Sequence, residues 1–376
     1  MNKEKRKIAY LLGFIPNPRF DKRIKAAKSE FDTVLICWSK SSDYTFRNLD
    51  EGVSSYIINI IANPYDPVGR VIPYLRYAKK ALRILKVEKP KVIHLQGLDM
   101  LLLACWYKNC FDRKVHIVYE VADLHRLLVD DQATTKLRLF AKGVAFFEKQ
   151  CSRFVDKLIV TSERYFDICY KRYYKHEQVL YIPNIPSISA FKNYAPKNHN
   201  YNFTVGFIGG IRYVNEIKLL IFAAKKAGVK VFLAGLEHGK EIERLCESED
   251  YVTYFGKYNY DTQIAYLYGC CDAIFSVYPS EMKNVQVALP NKLYESILCR
   301  LPIIVSKGTY VGDLVEQWGI GIAIDSNNES DLIKAILELL NRKKYEQFQK
   351  ACDNQWKLMD LNDYLAKYIK TIRSMM

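Results

Sequence analysis

The residues of this chain best placed to do chemistry open one segment, Asn284 to Ser306, with the sequence NVQVALPNKLYESILCRLPIIVS. Pro290 suits the first turn of a helix, where a missing N–H costs nothing, and Leu301-Pro302 forces the backbone back to an extended conformation. Ile303, Ile304 and Val305 then read as a buried strand. Leu289, Leu293 and Ile297 fall at four-residue spacing and form an apolar stripe, while Lys292 and Glu295, three apart, project together from another face. A helix N-terminus offers unpaired N–H groups and a positive dipole end. With Lys292 it suits a phosphate, and Glu295 as an acceptor suits a pair of sugar hydroxyls. The same spacing also describes a solvated ion pair of small worth. The rest of the chain weighs one reading against the other.

The elements that position this segment follow a repeated rhythm. Apolar strands at Ile8 to Phe14, Val34 to Trp38, Tyr56 to Ile60, Val92 to Leu95, Ile117 to Val121 and Leu158 to Thr161 alternate with helical stretches, one of them around Arg23 to Glu30. That is the pattern of a parallel sheet with crossover helices. Prolines, serines and an asparagine gather in YIPNIPSISAFKNYA from Tyr181 to Ala195, and a polar and aromatic run follows to Asn202, so the linker is placed there. The rhythm then restarts, with strands at Phe203 to Ile208, Val229 to Ala234, Val252 to Phe255, Ala273 to Val277, Ile303 to Val305 and Gly321 to Ile324, and helices at Glu216 to Ala227 and Asp331 to Leu340. At 376 residues two domains are expected. The reading is α/β: a Rossmann-like domain over 1–190 and a second over 200–354, both doubly wound and facing across a cleft. A helix from Gln355 to Met376, with Trp356, Leu361, Tyr364, Leu365 and Tyr368 on its apolar side, returns to the first domain.

In open parallel sheets ligands sit beyond the carboxyl ends of the strands, so the residues just after each strand are the candidates. The second domain offers Gly209, Gly210 and Arg212, where glycines permit close backbone approach and a guanidinium takes a diphosphate bidentately. It also offers Gly256, and Tyr278 to Glu281. Structural glycines at a tight turn would explain the first group equally well. The first domain offers His94, Gln96 and Asp99, then Asp123 and His125 in VADLHRLL, where an acid and an imidazole two apart could orient a hydroxyl or take its proton. A histidine at a strand end is as often a hydrogen-bonded boundary residue. Asp130 and Asp131 follow, but no Asp-x-Asp occurs, so no dedicated metal site for a diphosphate is expected and protein cations must neutralise it.

Bulk properties set limits. Hydrophobic residues make up 49% of the chain and charged residues 26%, as in a folded protein, and no apolar run reaches the roughly 18 residues of a spanning helix. The basic start MNKEKRK leads directly into the first strand, which suggests a cytoplasmic protein. The ten cysteines include no CxxC pair and no metal-ligand spacing, so they read as reduced core residues. The net charge of +15 is uneven: residues 1–190 hold 33 Lys and Arg against 20 Asp and Glu, and residues 191–376 hold 23 against 21. An anionic partner for the first half follows. Arg70 to Lys91 interleaves Arg76, Lys79, Lys80, Arg83 and Lys86 with Tyr74, Leu75, Leu82 and Leu85, and Lys136 to Lys149 is a second basic stretch. Each reads as a helix for an anionic membrane surface or as a crossover helix with a solvated basic face. Nucleic acid fits poorly, because no binding module and no exposed aromatic strand face is present.

Taken together, FDKRIKAA (Phe20 to Ala27), VIHLQGLDMLLLA (Val92 to Ala104), VYEVADLH (Val118 to His125), LIVTS (Leu158 to Ser162), YIPNIP (Tyr181 to Pro186), GFIGGIRY (Gly206 to Tyr213) and NVQVALPNKLYES (Asn284 to Ser296) resemble the GT-B glycosyltransferases, specifically the large retaining, nucleotide-sugar-dependent family 4 type of bacterial polysaccharide synthesis. The resemblance covers nearly the whole chain. It implies that Glu295 holds the donor's ribose, that Arg212 contacts its diphosphate, and that the loop at Asn284, with Asn291, lies near the donor sugar. Two positions depart from the family pattern. Val287 stands where a second glutamate is usual, and Ile217 replaces a lysine, with Lys218 one place later. Lys292 then supplies the second cation, and Glu281 or Asn284 takes over the sugar.

The resemblance implies transfer of a sugar from a UDP- or GDP-sugar to a hydroxyl of a glycan, lipid-linked through a polyprenyl group, at the inner face of the cell membrane and with retention of configuration. Asp123 or His125 would act on the acceptor hydroxyl, His94 and Asp99 would bind the acceptor, and neither cofactor nor metal would be required. Two alternatives stand beside it: a nucleotide-sugar epimerase or hydrolase on the same fold, and a basic module that binds membrane or nucleic acid.

Overall fold

The computed structural model describes residues 6–40, 52–63, 69–122, 135–197, 202–237 and 239–376, with the side chains of 135–141 excepted. The chain divides into two compact units, Met1–Pro183 with Asn362–Met376, and Asn184–Leu361.

The first unit holds a seven-stranded parallel sheet. In chain order its strands are β1 (Lys7–Leu12), β2 (Asp32–Ser39), β3 (Val53–Asn59), β4 (Val92–Gln96), β5 (His116–Val121), β6 (Lys157–Val160) and β7 (Val179–Tyr181), and in space they run β3-β2-β1-β4-β5-β6-β7. A sheet covered on both faces needs continuous apolar strands, and β1 and β2 are buried at every position after their first. Helices α1 (Pro18–Lys28), α2 (Val71–Glu88), α3 (Leu98–Cys110) and α4 (Thr135–Ser152) connect them. Helix α1 begins where Asn17 Oδ1 accepts the N–H groups of Arg19 and Phe20, with Pro18 in its first turn. Strand β7 falls inside the stretch read from sequence as the start of the linker.

The second unit repeats the design. Its strands β8 (Thr204–Ile208), β9 (Lys230–Ala234), β10 (Val252–Gly256), β11 (Ala273–Ser276), β12 (Ile303–Ser306) and β13 (Gly321–Ile324) lie in the order β10-β9-β8-β11-β12-β13, all parallel. Its helices are α5 (Val214–Ala227), α6 (Glu241–Glu247), α7 (Tyr260–Gly269), α8 (Lys283–Val287), α9 (Asn291–Cys299), α10 (Tyr310–Trp318), α11 (Glu329–Leu340) and α12 (Arg342–Lys357). The single helix expected from Gln355 onward is two: α12 ends at Lys357, and α13 (Leu361–Ser374) is separate and belongs to the first unit. Leu358, 77% exposed, sits at the break.

Helix α13 closes the first core. Tyr368, Ile369 and Ile372 pack with Phe20 and Ile24 of α1 against Ile8, Tyr10 and Val118 of the sheet. A buried polar chain runs through this layer. The Tyr10 and Tyr368 hydroxyls lie 2.8 Å apart, Tyr368 is 2.8 Å from His94 Nδ1, and His94 Nε2 is 3.1 Å from Glu120 Oε2. Arg23 Nε stands 3.5 Å from the same carboxylate and Arg19 Nε 3.9 Å. The neutral tautomer with Nε2–H donating to Glu120 and Nδ1 accepting from Tyr368 satisfies the ring completely. His94 is fully buried and both its nitrogens are engaged, so the expectation that it touches an acceptor is corrected: it is a core residue.

Burial raises the Glu120 carboxyl, but Arg23, the His94 hydrogen bond and Arg19 outweigh it and hold the group at about 2; burial likewise lowers His94 despite Glu120. Both groups are thus depressed in the folded state. Their contribution is present above the unfolded values and lost as pH falls. The urea midpoint is expected to decline as pH drops below the ordinary histidine value of 6.5 and again from 4.5 toward 2. Glu120→Gln should flatten the lower window, and an unchanged slope there in urea titrations would refute the assignment.

Candidate functional site

The strand order of the second sheet reverses between β8 and β11, which opens a crevice at their carboxyl ends. Strand β8 delivers Gly209 there with φ +145°, a conformation glycine adopts without strain. A Cβ at Gly209 would lie 2.8 Å from Lys292 Nζ, so the missing side chain makes room for the ammonium. Gly235, at the end of β9, supports this turn from the other side: a Cβ there would meet the Gly209 carbonyl at 1.9 Å. The sequence did not single out Gly235, although a glycine directly after the strand KVFLA was the available signal.

Lys292 comes from the first turn of α9, and its side chain crosses the crevice between both strands of the switch point. It is 7% exposed, donates to the Tyr278 hydroxyl at 2.9 Å and lies 4.3 Å from the centre of the Phe207 ring. Phe207 is on β8 and Tyr278 follows β11. The loop at Tyr278 is fixed in turn, because Ser306 Oγ accepts its N–H at 2.8 Å and donates to its carbonyl at 2.7 Å.

Glu295 is one turn further along α9 and 3% exposed. Its Oε1 accepts from Tyr260 at 2.7 Å and its Oε2 from Tyr268 at 2.6 Å, both from α7. The solvated Lys292–Glu295 pair that the sequence allowed is therefore excluded: both residues are buried and each has its own partners. The i,i+3 spacing places them on one helix but does not reveal that tyrosines eight apart on α7 clamp the carboxylate. The proline-bounded helix begins at Asn291 with Pro290 as its cap, so Leu289 stands before it, and a separate short turn, α8, carries Asn284.

The remaining candidates divide. Arg212 is exposed just beyond the glycine turn, with its Nε 4.0 Å from where a Gly210 Cβ would be. Asn291 Oδ1 accepts a hydrogen bond from Asn184. Glu281 is exposed and close enough to Glu216 to affect it: burial raises the Glu216 carboxyl and the Glu281 charge adds to the rise. Glu216, buried in the first turn of α5, was not anticipated. Val287 is 1% exposed and packs inward, so that position offers no polar contact. Lys218 pairs with Glu241 and is no substitute cation at the glycine turn. In the first unit Asp99 begins α3, where its Oδ1 accepts the Met100 N–H at 3.0 Å. Asp123 and His125 lie outside the described residues. Among the described residues no three His, Cys, Asp or Glu side chains converge as a metal site would require.

Helix α2 buries Tyr77, Ala78, Ala81, Leu82 and Leu85 in the core. Its apolar face is thus a crossover face, and its outward face carries Arg76, Lys79, Lys80, Arg83 and Lys86. At its start Val71, Ile72 and Leu75 are exposed as well, and on α4 so are Phe146 and Phe147. No helix among the described residues is long and apolar enough to cross a membrane.

Residues 190–355 match the family described as glycosyl transferases group 1. None of the curated protein sequences compared with the chain matches it. Among solved structures the chain is similar to sucrose-phosphate synthase from Thermosynechococcus elongatus, with a TM-score of 0.75 at 14% identity over 99% of each chain. It is also similar to Anabaena HepE in complex with UDP and glucose, with a TM-score of 0.71 at 16% identity over 98% of this chain and 100% of that one. WaaG, a glycosyltransferase involved in lipopolysaccharide biosynthesis, gives 0.70 at 14% identity over 97% and 99%. At such identities the likeness carries the fold, two Rossmann-like units of the GT-B kind. With a group 1 domain built around the Gly209, Lys292 and Glu295 crevice, the protein is a GT-B glycosyltransferase of group 1.

Proposed function

We propose that the enzyme moves a sugar from a UDP- or GDP-sugar to a hydroxyl of a lipid-linked glycan, with retention of configuration, in the synthesis of a surface polysaccharide. The observation that carries this reading is the buried ammonium of Lys292 under Gly209, with the guanidinium of Arg212 exposed just past the same turn. As the bond to the anomeric carbon breaks, negative charge grows on the β-phosphate. Cations already fixed in a crevice of low dielectric stabilise that charge without reorganising. Glu295, oriented by Tyr260 and Tyr268, keeps a free lone pair on each oxygen for the ribose hydroxyls. Glu281 and Asn284 meet the donor sugar in place of the apolar Val287. Asp123 or His125 receives the acceptor hydroxyl's proton or holds it in line, and Asp99 contributes to acceptor binding. Because protein cations neutralise the diphosphate, no metal and no cofactor enters this scheme. The UDP-bound state named for Anabaena HepE supports a nucleotide in the same unit.

Calorimetry with UDP and GDP tests the site. One nucleotide should bind, and Glu295→Ala and Lys292→Met should each weaken it at least about tenfold, roughly the 1.4 kcal/mol of one charge-assisted hydrogen bond. With a nucleotide sugar and an added lipid-linked saccharide, transfer is expected; epimerised or hydrolysed donor in its place would favour the epimerase or hydrolase reading.

We further place the enzyme peripherally at the inner face of the cell membrane, held by the basic outward face of α2 with its exposed Val71, Ile72 and Leu75. Each Lys or Arg near an anionic surface contributes on the order of 1 kcal/mol. Flotation with anionic vesicles at low salt should carry the protein upward and neutral vesicles should not. Protein that stays at the bottom under every condition would end this part of the reading.

A further inference from the structure

A second site lies wholly within the first unit, away from the crevice residues. A cavity of about 220 Å³ is lined by Trp38 at the end of β2, Arg70, Val71 and Tyr74 at the start of α2, and Asp99 at the start of α3. Its walls are rigid. Trp38 is 1% exposed, stacks on Tyr77 with centroids 5.1 Å apart and donates from Nε1 to the Ile60 carbonyl at 2.8 Å. The Tyr74 hydroxyl donates to the Asp99 carbonyl at 2.7 Å. These polar groups are committed to the protein. What remains for a ligand is positive charge: the Arg70 guanidinium in the wall, and the Lys40 ammonium 4.7 Å from the centre of the Trp38 ring.

The charge balance favours an anion. Asp99 is the one acid among the lining residues, set against two cations. Burial and the nearby Arg70 lower the Lys40 ammonium from its usual range, and Asp99 offsets this only in part. Two like charges held together in this way are relieved by a negative group between them. Arg70 also caps α2, an 18-residue helix with no side-chain cap bond and no acid in its first turn, so its positive dipole end faces the same space uncompensated. The rim is apolar: Val71, Ile72 and Leu75 are 53%, 63% and 57% exposed. A cationic pocket with an apolar lip matches an anionic head on a hydrocarbon chain.

We propose that this cavity binds the phosphate or diphosphate group of an amphiphile, with the anion between Lys40 and Arg70 and the apolar chain across Val71, Ile72 and Leu75. The amphiphile is the transfer acceptor on the reading given above; the anion site itself does not depend on that reading. A diphosphate held there fixes the acceptor's reducing end and leaves its glycan free.

The test is calorimetry on the full chain with farnesyl diphosphate, with inorganic pyrophosphate and separately with UDP, the first two in the presence of saturating UDP so that the crevice of the second unit does not compete. Farnesyl diphosphate should bind at least about tenfold more tightly than pyrophosphate. The double variant Lys40→Gln, Arg70→Gln should lose at least tenfold of that affinity while UDP binding stays unchanged. Should the double variant not fold, Arg70→Lys against Arg70→Gln gives the same reading, with the charge-keeping variant retaining affinity. Farnesyl diphosphate bound equally well by wild type and variant overturns the site, and equal affinity for pyrophosphate overturns the role of the apolar rim. Binding of farnesyl diphosphate without UDP supports this site and sinks the nucleotide-sugar reading, and UDP binding alone does the reverse.

Discussion

The second unit is arranged around an ammonium ion that has been taken out of water. A buried lysine is costly unless its charge is stabilised, and Lys292 has one hydroxyl, one aromatic face and a glycine turn close against it. Each of those partners imposes something further. The aromatic face requires Phe207 on β8, the hydroxyl requires Tyr278 to be held by Ser306 of β12, and the glycine requires a second glycine, Gly235, to pass beneath it. A lysine with three donors and one hydrogen-bonded acceptor keeps unused capacity. An anionic ligand completes what the fold begins.

Glu295 shows the complementary solution. A carboxylate at 3% exposure is supplied with two phenolic donors, one to each oxygen, so it is fixed in position by neutral groups and its acceptor strength is preserved. The pair of tyrosines also ties α9 to α7. A change in either helix is therefore felt at the carboxylate, and the separation of Lys292 from Glu295 lets each serve a different part of a ligand.

Much of this was legible in the sequence where local periodicity decides the outcome. Runs such as TVGFI and AIFS read as strands because both faces are covered, and Pro290 and Pro302 bound α9 through their fixed backbone. The strand-end rule then brought Gly209, Arg212 and Tyr278 forward. What the sequence hid depends on distant partners. Tyr260 and Tyr268 sit at ordinary helical spacing, and nothing local says that they reach Glu295. His94 follows a strand as a ligand-contacting residue would, but Tyr368, 274 positions later, and Glu120 consume both its nitrogens. The break between α12 and α13 carries no proline or glycine, so periodicity ran straight through it.

The membership of α13 in the first unit has a consequence for synthesis. The chain leaves that unit after Pro183 and returns at Asn362. Tyr368 closes the hydrogen-bonded chain through His94 and Tyr10, so the part of the enzyme that emerges first from the ribosome is completed last. Until then Tyr10, Phe20 and Ile24 lack their cover, while the second unit, continuous in sequence, already holds every strand of its own sheet. Domains fold as they emerge. Here the order of emergence and the order of completion are opposite, and the final fourteen-residue helix acts as the closing step in the assembly of the whole molecule.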